Sequence, residues 1–236
     1  MILTLLKGIV ALALAIPFSL LALISIPLDR SGRLYHWSSW GWGKSILWIF
    51  GVTVRVDGLE HIKDREKVIY VANHASWFDI PAMVVGVPDQ IRIVFKKELT
   101  WVPIWGWALK FGPYVAIDRA KPKDALKSLD KAADQIRKGA SVLLFAEGTR
   151  TRDGKLQPFK RGAFALAVRS GVAVVPATIN NSYKILPKGS LRVRPAEIHI
   201  VLDTPIEMSG KTGKESEKEL METVHKAITK HFVEPT

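Results

Sequence analysis

Two residues in this chain have the types and spacing for general acid–base chemistry: His74 and Asp79, within the stretch Asn73-His74-Ala75-Ser76-Trp77-Phe78-Asp79. A histidine held in one tautomer by a carboxylate is a general base, as in the histidine half of a serine-protease triad. A regular helix cannot pair them. At about 100° per residue, side chains five positions apart point roughly 140° away from each other, so pairing requires an irregular turn before any helix begins. The preceding run Val68–Ala72 is continuously apolar and reads as a buried strand. The pair thus stands just past a strand end, where α/β folds place their chemistry. Taken alone, a histidine there serves structure more often than chemistry, and the simplest role for Ser76 is that of a helix N-cap.

Three further stretches stand at strand ends. Gly112-Pro113-Tyr114-Val115-Ala116-Ile117-Asp118-Arg119 closes on a guanidinium that either pairs its acidic neighbour on the surface or forks a phosphate. Glu147-Gly148-Thr149-Arg150 follows the apolar run Val142–Phe145. Its glycine lets a ligand approach the backbone, Arg150 can bind phosphate and Glu147 can orient a hydroxyl or a basic neighbour; the plainer alternative is a charged turn. Val175-Pro176-Ala177 reads as a strand ended by Pro176, a pocket wall or a plain turn. Lys96 and Lys97, and Lys160 and Arg161, add cations that serve either an anionic ligand or a solvated surface.

The elements that must position these residues follow from composition and patterning. The chain has 236 residues, nearly half of them hydrophobic, enough for one good core. It has no cysteine, which removes disulfides, thiolate metal sites and a cysteine nucleophile. Its six histidines form no zinc-type cluster with carboxylates at ligand spacing, so no metal site is expected; His199 reads as a packed or surface histidine. The net charge of +12, from 34 basic and 22 acidic residues, points to an anionic partner. The basic residues are scattered and no nucleic-acid module is recognisable, which disfavours nucleic acid and leaves a membrane surface or phosphorylated substrates.

Residues 8–28 carry no charge and would make a helix of about 30 Å, long enough to cross a bilayer, interrupted by Pro17 and Pro27. A second apolar stretch, Leu34–Phe50, holds four of the eight tryptophans, a residue that favours the membrane interface, and a short polar turn with Arg30 and Arg33 joins the two. A single span, a two-span hairpin and a monotopic hairpin in one leaflet all fit, the last best; a signal peptide fits poorly. Residues 1–50 are therefore assigned to a membrane-associated helical hairpin, and residues 51–236, after Gly51, to the catalytic domain.

In that domain Val52, Val54 and Val56 alternate with polar residues and end at Gly58, a half-buried strand. Strands are expected at Ile91–Phe95, Val115–Ile117, Ser141–Phe145, Val172–Val175 and Ile198–Leu202, and helices at Lys123–Lys138, Gly162–Ser170 and Glu215–Phe232. The alternation argues an α/β fold: a mixed sheet flanked by helices, with the N-terminal hairpin attached.

In this order the four blocks resemble the glycerolipid acyltransferase family, and within it the branch that acylates lysophosphatidic acid. The family pattern NHxxxxD stands here as Asn73, His74 and Asp79; the other blocks correspond to Gly112–Arg119, Glu147–Arg150 and Val175–Ala177. The resemblance covers roughly residues 50 to 210, and its first and third blocks are the specific ones. Ala116 departs from it, since a bulky apolar residue is usual there, a change expected to alter packing rather than chemistry. The resemblance implies transfer of an acyl chain from acyl-CoA or acyl-carrier protein to the sn-2 hydroxyl of 1-acyl-glycerol-3-phosphate, giving phosphatidic acid. His74 would act as base and Asp79 as its orienting carboxylate. Arg119, Glu147, Gly148, Thr149, Arg150 and Lys97 would bind substrate. No metal or cofactor is implied beyond the acyl donor. With no cysteine and no serine in a G-x-S-x-G elbow, direct transfer is more economical than an acyl-enzyme. The implied location is the cytoplasmic (inner) membrane, catalytic domain on the cytoplasmic side, in contact with membrane lipid. Trp101, Trp105 and Trp107 would extend a membrane-facing or acyl-binding surface, or fill the core. Another lysophospholipid or glycerol-3-phosphate as acceptor, and a non-catalytic lipid-binding protein, are the alternatives.

Overall fold

The computed structural model describes residues 2–117, 130, 132–134, 136–137 and 139–235. Asp118 and Arg119 lie outside the described residues, as does most of the helix expected over Lys123–Lys138; its expected apolar positions Ala132, Ala133 and Ile136 are described and buried.

Seven strands form one mixed sheet in the order β1-β7-β6-β2-β5-β3-β4. They are β1 (Thr53–Asp57), β2 (Ile69–Ala72), β3 (Arg92–Lys96), β4 (Val115–Ile117), β5 (Val142–Phe145), β6 (Val174–Asn180) and β7 (Glu197–Leu202). All neighbours are parallel except β6 and β7. The central strands are covered on both faces, which is why their sequences are apolar runs rather than alternations. Ile69 and Val71 of β2 enter one core with Val142 and Leu144 of β5, Phe164 and Leu166 of a helix at Arg161–Ser170, and Leu220, Val224 and Ile228 of the C-terminal helix Gly213–His231. Tyr70 and Ala72 enter the opposite core with Ala82 and Met83.

The strand holding Pro176 differs from expectation. Pro176 does not end it; β6 runs on to Asn180, with Pro176 opposite Val71. A proline in a sheet costs a ladder bond only where its N–H would have had a partner. Here the β7 ladder begins one residue later, at Ala177, and the Pro176 carbonyl still accepts the Asp203 N–H at 2.9 Å.

The N-terminal elements are α1 (Ile2–Leu28) and α2 (Arg33–Phe50). Helix α1 passes unbroken through Pro17 and Pro27, so the prolines cost local hydrogen bonds without ending it. It is long and apolar enough to cross a membrane. The joining turn is ordered by Asp29, whose carboxylate accepts the N–H groups of Ser31 and Leu34 at 2.8 Å. Two glycines let α2 approach its neighbours: a Cβ on Gly41 would stand 2.8 Å from the Phe18 ring of α1, and one on Gly43 3.2 Å from Val85 of α3 (Asp79–Gly86). Ala11, Leu47 and Phe50 belong to the same core as Tyr70 and Met83, so the hairpin packs directly on the α/β layer. Helix α4 (Trp105–Phe111) lies against α1. The outward face of the hairpin stays apolar, with Leu12, Ile24, Trp37 and Trp48 all strongly exposed.

Candidate active site

The parallel register brings the ends of β2 and β5 side by side, Ala72 opposite Phe145. His74 and Glu147 each lie two residues beyond. Residues 73–78 are irregular and α3 begins only at Asp79, which supplies the turn that the five-residue spacing demands. Asp79 is fully buried, and its Oδ2 receives three groups: His74 Nδ1 at 2.7 Å and the backbone N–H groups of Ala75 and Ser76 at 2.8 and 2.9 Å. One oxygen thus folds the turn and orients the imidazole. Its other oxygen, Oδ1, is buried with no hydrogen-bond partner. The His74 ring stacks on Phe145 with centroids 3.8 Å apart. With Nδ1 on the carboxylate, Nε2 is the nitrogen left for chemistry, and the side chain keeps 14% of its exposure.

Glu147 is 2% exposed and turns inward. Its Oε1 accepts the His74 N–H at 2.8 Å and its Oε2 the Gln157 N–H at 3.1 Å. It therefore staples the His74 turn to the loop after β5, a positioning contact that the sequence reading did not foresee. Burial pushes its carboxyl up to about 7 in spite of those two donors, with Asp79 and Asp153 adding repulsion. The Thr151 N–H closes the same loop onto the His74 carbonyl at 2.9 Å. Gly148 has φ 65°, a left-handed turn where a side chain would be strained.

Arg150 lays its guanidinium over the Trp77 ring, 4.4 Å from the centroid, a cation–π contact. Burial lowers its pKa and the charge of Asp79 opposes that shift. Thr149 is exposed and its Oγ1 accepts from Lys188 Nζ at 3.1 Å, while Lys188 also reaches the Arg150 carbonyl at 3.0 Å. Lys97 opens a 3-10 turn (Lys97–Trp101) after β3 and is exposed. Thus His74, Asp79, Glu147, Gly148, Thr149 and Arg150 are joined through the adjoining ends of β2 and β5, and Lys97 stands at the end of the next strand. Arg119 lies outside the described residues. The Lys160 N–H donates to the Ala146 carbonyl at 2.7 Å, beside Glu147, and Arg161 turns to Glu217, paired at 2.6 Å.

The serine assignment changes. Ser76 is not a helix cap; α3 follows Phe78 with no side-chain cap. The Ser76 hydroxyl donates to the Leu186 carbonyl at 3.1 Å and accepts weakly from the Phe78 N–H at 3.4 Å, tying the turn to the segment after β6. Asn73 has the larger role. Its side chain makes two hydrogen bonds with Ile179, donating to the carbonyl at 2.9 Å and accepting the N–H at 2.7 Å, and so continues the β2–β6 ladder past the strand end. Gln157 and Lys188 have no sequence signal of their own; they become visible only when the loops meet.

Beside Trp77 opens an apolar cavity of about 150 Å³ between α1, α2, α3 and α4, lined by Phe18, Ala22, Trp42, Trp77, Trp105 and Leu109 among others. Trp105 therefore points inward, whereas Trp101 is 80% exposed and Trp107 half-exposed. His199 stands in β7, beside the edge strand β1, and pairs with Asp57 at 2.7 Å. Among the described residues no group of three or more potential ligands is arranged to hold a metal ion.

Comparison with known proteins agrees with this fold. The acyltransferase family model matches residues 53–180. A 1-acyl-sn-glycerol-3-phosphate acyltransferase of Limnanthes douglasii is 34% identical over 84% of this chain and 70% of its own length. That of Pseudomonas aeruginosa is 35% identical over 75% of this chain and 69% of its own length. The crystal structure of the 1-acyl-sn-glycerophosphate acyltransferase PlsC from Thermotoga maritima superposes with a TM-score of 0.82 at 27% identity, covering 97% of this chain and 92% of that one. The matched region contains the His74–Asp79 turn, the Glu147–Arg150 loop and the strands that carry them, and the chain belongs to the acyltransferase family.

Proposed function

We propose that this chain is a 1-acylglycerol-3-phosphate O-acyltransferase, moving an acyl group from a thioester donor to the sn-2 hydroxyl of lysophosphatidic acid to give phosphatidic acid. The observation that carries the reading is the 2.7 Å contact between His74 Nδ1 and the buried Asp79 carboxylate, at the mouth formed by β2 and β5. His74 Nε2 takes the acceptor's hydroxyl proton as the oxygen attacks the thioester carbonyl. Asp79 holds the tautomer and stabilises the imidazolium. Collapse of the tetrahedral intermediate breaks the C–S bond, and the departing thiolate takes the proton back from the imidazolium. General acid–base catalysis of this kind contributes about 10²–10⁴-fold. No side chain is acylated, so both substrates occupy the site together.

Arg150, held over Trp77, and Lys97 and Arg119 supply charge for the acceptor phosphate. Glu147, Gly148 and Thr149 shape the loop around it. The apolar cavity beside Trp77 gives an acyl chain a dry site. The enzyme works at the cytoplasmic membrane, with the exposed face of α1 and the tryptophans Trp37, Trp48 and Trp101 in contact with lipid and the catalytic domain on the cytoplasmic side. The positive net charge favours that anionic surface.

The test is product identification. Purified enzyme in detergent is given acyl-CoA or acyl-carrier protein together with lysophosphatidic acid, glycerol-3-phosphate or a phosphate-free monoacylglycerol, and products are separated by mass spectrometry. Phosphatidic acid as the dominant product supports the reading. Preferred acylation of glycerol-3-phosphate, or equal use of the phosphate-free acceptor, refutes the assigned acceptor.

A further inference from the structure

After β6 the chain turns back over the catalytic loops, and a lysine stands in that turn. Pro187, Lys188, Gly189 and Ser190 make a tight reversal, closed by the Ser190 N–H on the Pro187 carbonyl at 3.0 Å. Gly189 takes the positive φ, 89°, that a turn of this kind asks of its third residue. The reversal is fixed relative to the catalytic pair. The Leu186 carbonyl, just before it, accepts the Ser76 hydroxyl, two residues after His74. Behind it, the Arg194 N–H returns to the Ile185 carbonyl at 2.9 Å.

The Lys188 side chain is half-buried and folds onto the loop after β5. Its Nζ donates to Thr149 Oγ1 at 3.1 Å and to the Arg150 carbonyl at 3.0 Å. An ammonium has three N–H groups, so one is left for a ligand. Both acceptors are neutral, and Lys188 has no carboxylate partner among the described residues. The acids of the same loop are engaged elsewhere. Glu147 turns inward to two backbone amides, and Asp153 Oδ1 accepts the Thr151 hydroxyl at 2.8 Å and the Lys155 N–H at 3.1 Å. From residue 154 to residue 196 the sequence has no acid at all. Arg150, whose carbonyl Lys188 holds, sends its guanidinium over the Trp77 ring and also meets no carboxylate among the described residues. Two uncompensated cations on one short loop repel each other until an anion joins them.

We infer that Lys188 binds the phosphate of the acceptor lipid, beside Arg150, an assignment that rests on the acyl-transfer reading. The guanidinium meets the phosphate oxygens as a fork and the ammonium as a point charge. A phosphate monoester carries about 1.5–2 negative charges near neutral pH, more than one cation neutralises. The two hydrogen bonds that Lys188 makes hold the lysine and the Thr149–Arg150 peptide in one arrangement before substrate arrives, which lowers the ordering cost of binding. The occupant is the acceptor because of what this peptide adjoins: the next residue, Thr151, closes onto the His74 carbonyl at 2.9 Å. A phosphate held there keeps the rest of the same small molecule within reach of the base.

The full-length enzyme is assayed in neutral detergent micelles as wild type, as K188Q, which keeps a donor and loses the charge, and as K188R, which keeps both. Four quantities are measured in each: kcat, the KM for lysophosphatidic acid, the KM for the acyl donor, and the inhibition constant of the phosphate monomethyl ester of lysophosphatidic acid, a monoanion. Melting curves accompany them. The inference expects K188Q to raise the KM for lysophosphatidic acid about tenfold and the inhibition constant of the monoanion by about threefold or less. It expects kcat to stay within about threefold and the donor KM within about twofold, since binding lost equally from ground and transition state appears in KM alone. K188R should stay within about threefold of wild type in every quantity. An unchanged KM for lysophosphatidic acid in K188Q, an equal shift for the monoanion, or an equal rise in the donor KM overturns the inference. So does a K188R as impaired as K188Q with a lowered melting temperature, which makes Lys188 a clamp on the loop and nothing more. A wild type that yields no phosphatidic acid is a separate outcome: it removes the acyl-transfer reading, and the proposed occupant with it.

Discussion

Asp79→Asn isolates what the carboxylate charge does, because the structure lets the amide keep the carboxylate's geometry. The asparagine oxygen can take the place of Oδ2 and accept the same three donors, from His74, Ala75 and Ser76. The amide nitrogen then falls where Oδ1 sits, buried with no partner. The turn is kept, at a cost of about 1–3 kcal/mol for an unpaired buried donor. What disappears is the negative charge facing the imidazolium as the acceptor hydroxyl is deprotonated. With charge centres about 4 Å apart and an effective dielectric constant of about 20, that interaction is worth about 4 kcal/mol, or about 10³-fold in rate. Initial rates of acceptor-dependent thiol release at saturating substrates should therefore fall about 10³-fold in kcat while both KM values hold. Near-ultraviolet circular dichroism and a melting curve report whether the variant is folded. A folded variant that loses less than tenfold in kcat would refute the role given to the Asp79 charge.

Three other outcomes follow from the same geometry. Glu147 carries a carboxyl raised by burial from 4.5 to about 7; its contribution to stability is complete below pH about 4.5 and declines as pH rises through about 7, by on the order of 3 kcal/mol. Urea unfolding across that range should show the decline in wild type and lose it in Glu147→Gln. Asn73→Ala leaves the Ile179 N–H and carbonyl without their side-chain partners, which should cost about 2–4 kcal/mol of stability in a denaturant titration and lower kcat through the displaced turn. Trp77→Ala removes the ring under Arg150; the acceptor KM should rise by up to about 30-fold with a smaller change in kcat, in steady-state assays with lysophosphatidic acid varied.

Much of the site was legible in the sequence because its logic is local. A histidine and an aspartate five positions apart after an apolar strand demand a turn, and the turn is there. The order of apolar runs gave the α/β architecture for the same reason: buried parallel strands need little besides continuous hydrophobicity. What stayed hidden depends on tertiary proximity. Glu147 looked like a substrate ligand, since nothing local shows that its two oxygens would meet the amides of His74 and Gln157. Pro176 looked like a strand end, because one strand read alone cannot say where the β7 ladder begins. Ser76 looked like a cap, but its partner lies 110 residues away. The contacts of α2 with α1 and with α3 rest on Gly41 and Gly43 respectively, which in the sequence are only small residues among tryptophans.

The central claim is that His74, oriented by Asp79, passes the acyl group directly to a lysophosphatidic acid hydroxyl. The most direct test is thiol release from an acyl donor by purified protein in detergent, with and without lysophosphatidic acid, for wild type beside His74→Ala. The account predicts release only when the acceptor is present, stoichiometric with phosphatidic acid, and its disappearance in the variant. A stoichiometric burst of thiol from wild type without acceptor, or full activity in folded His74→Ala protein, would contradict it.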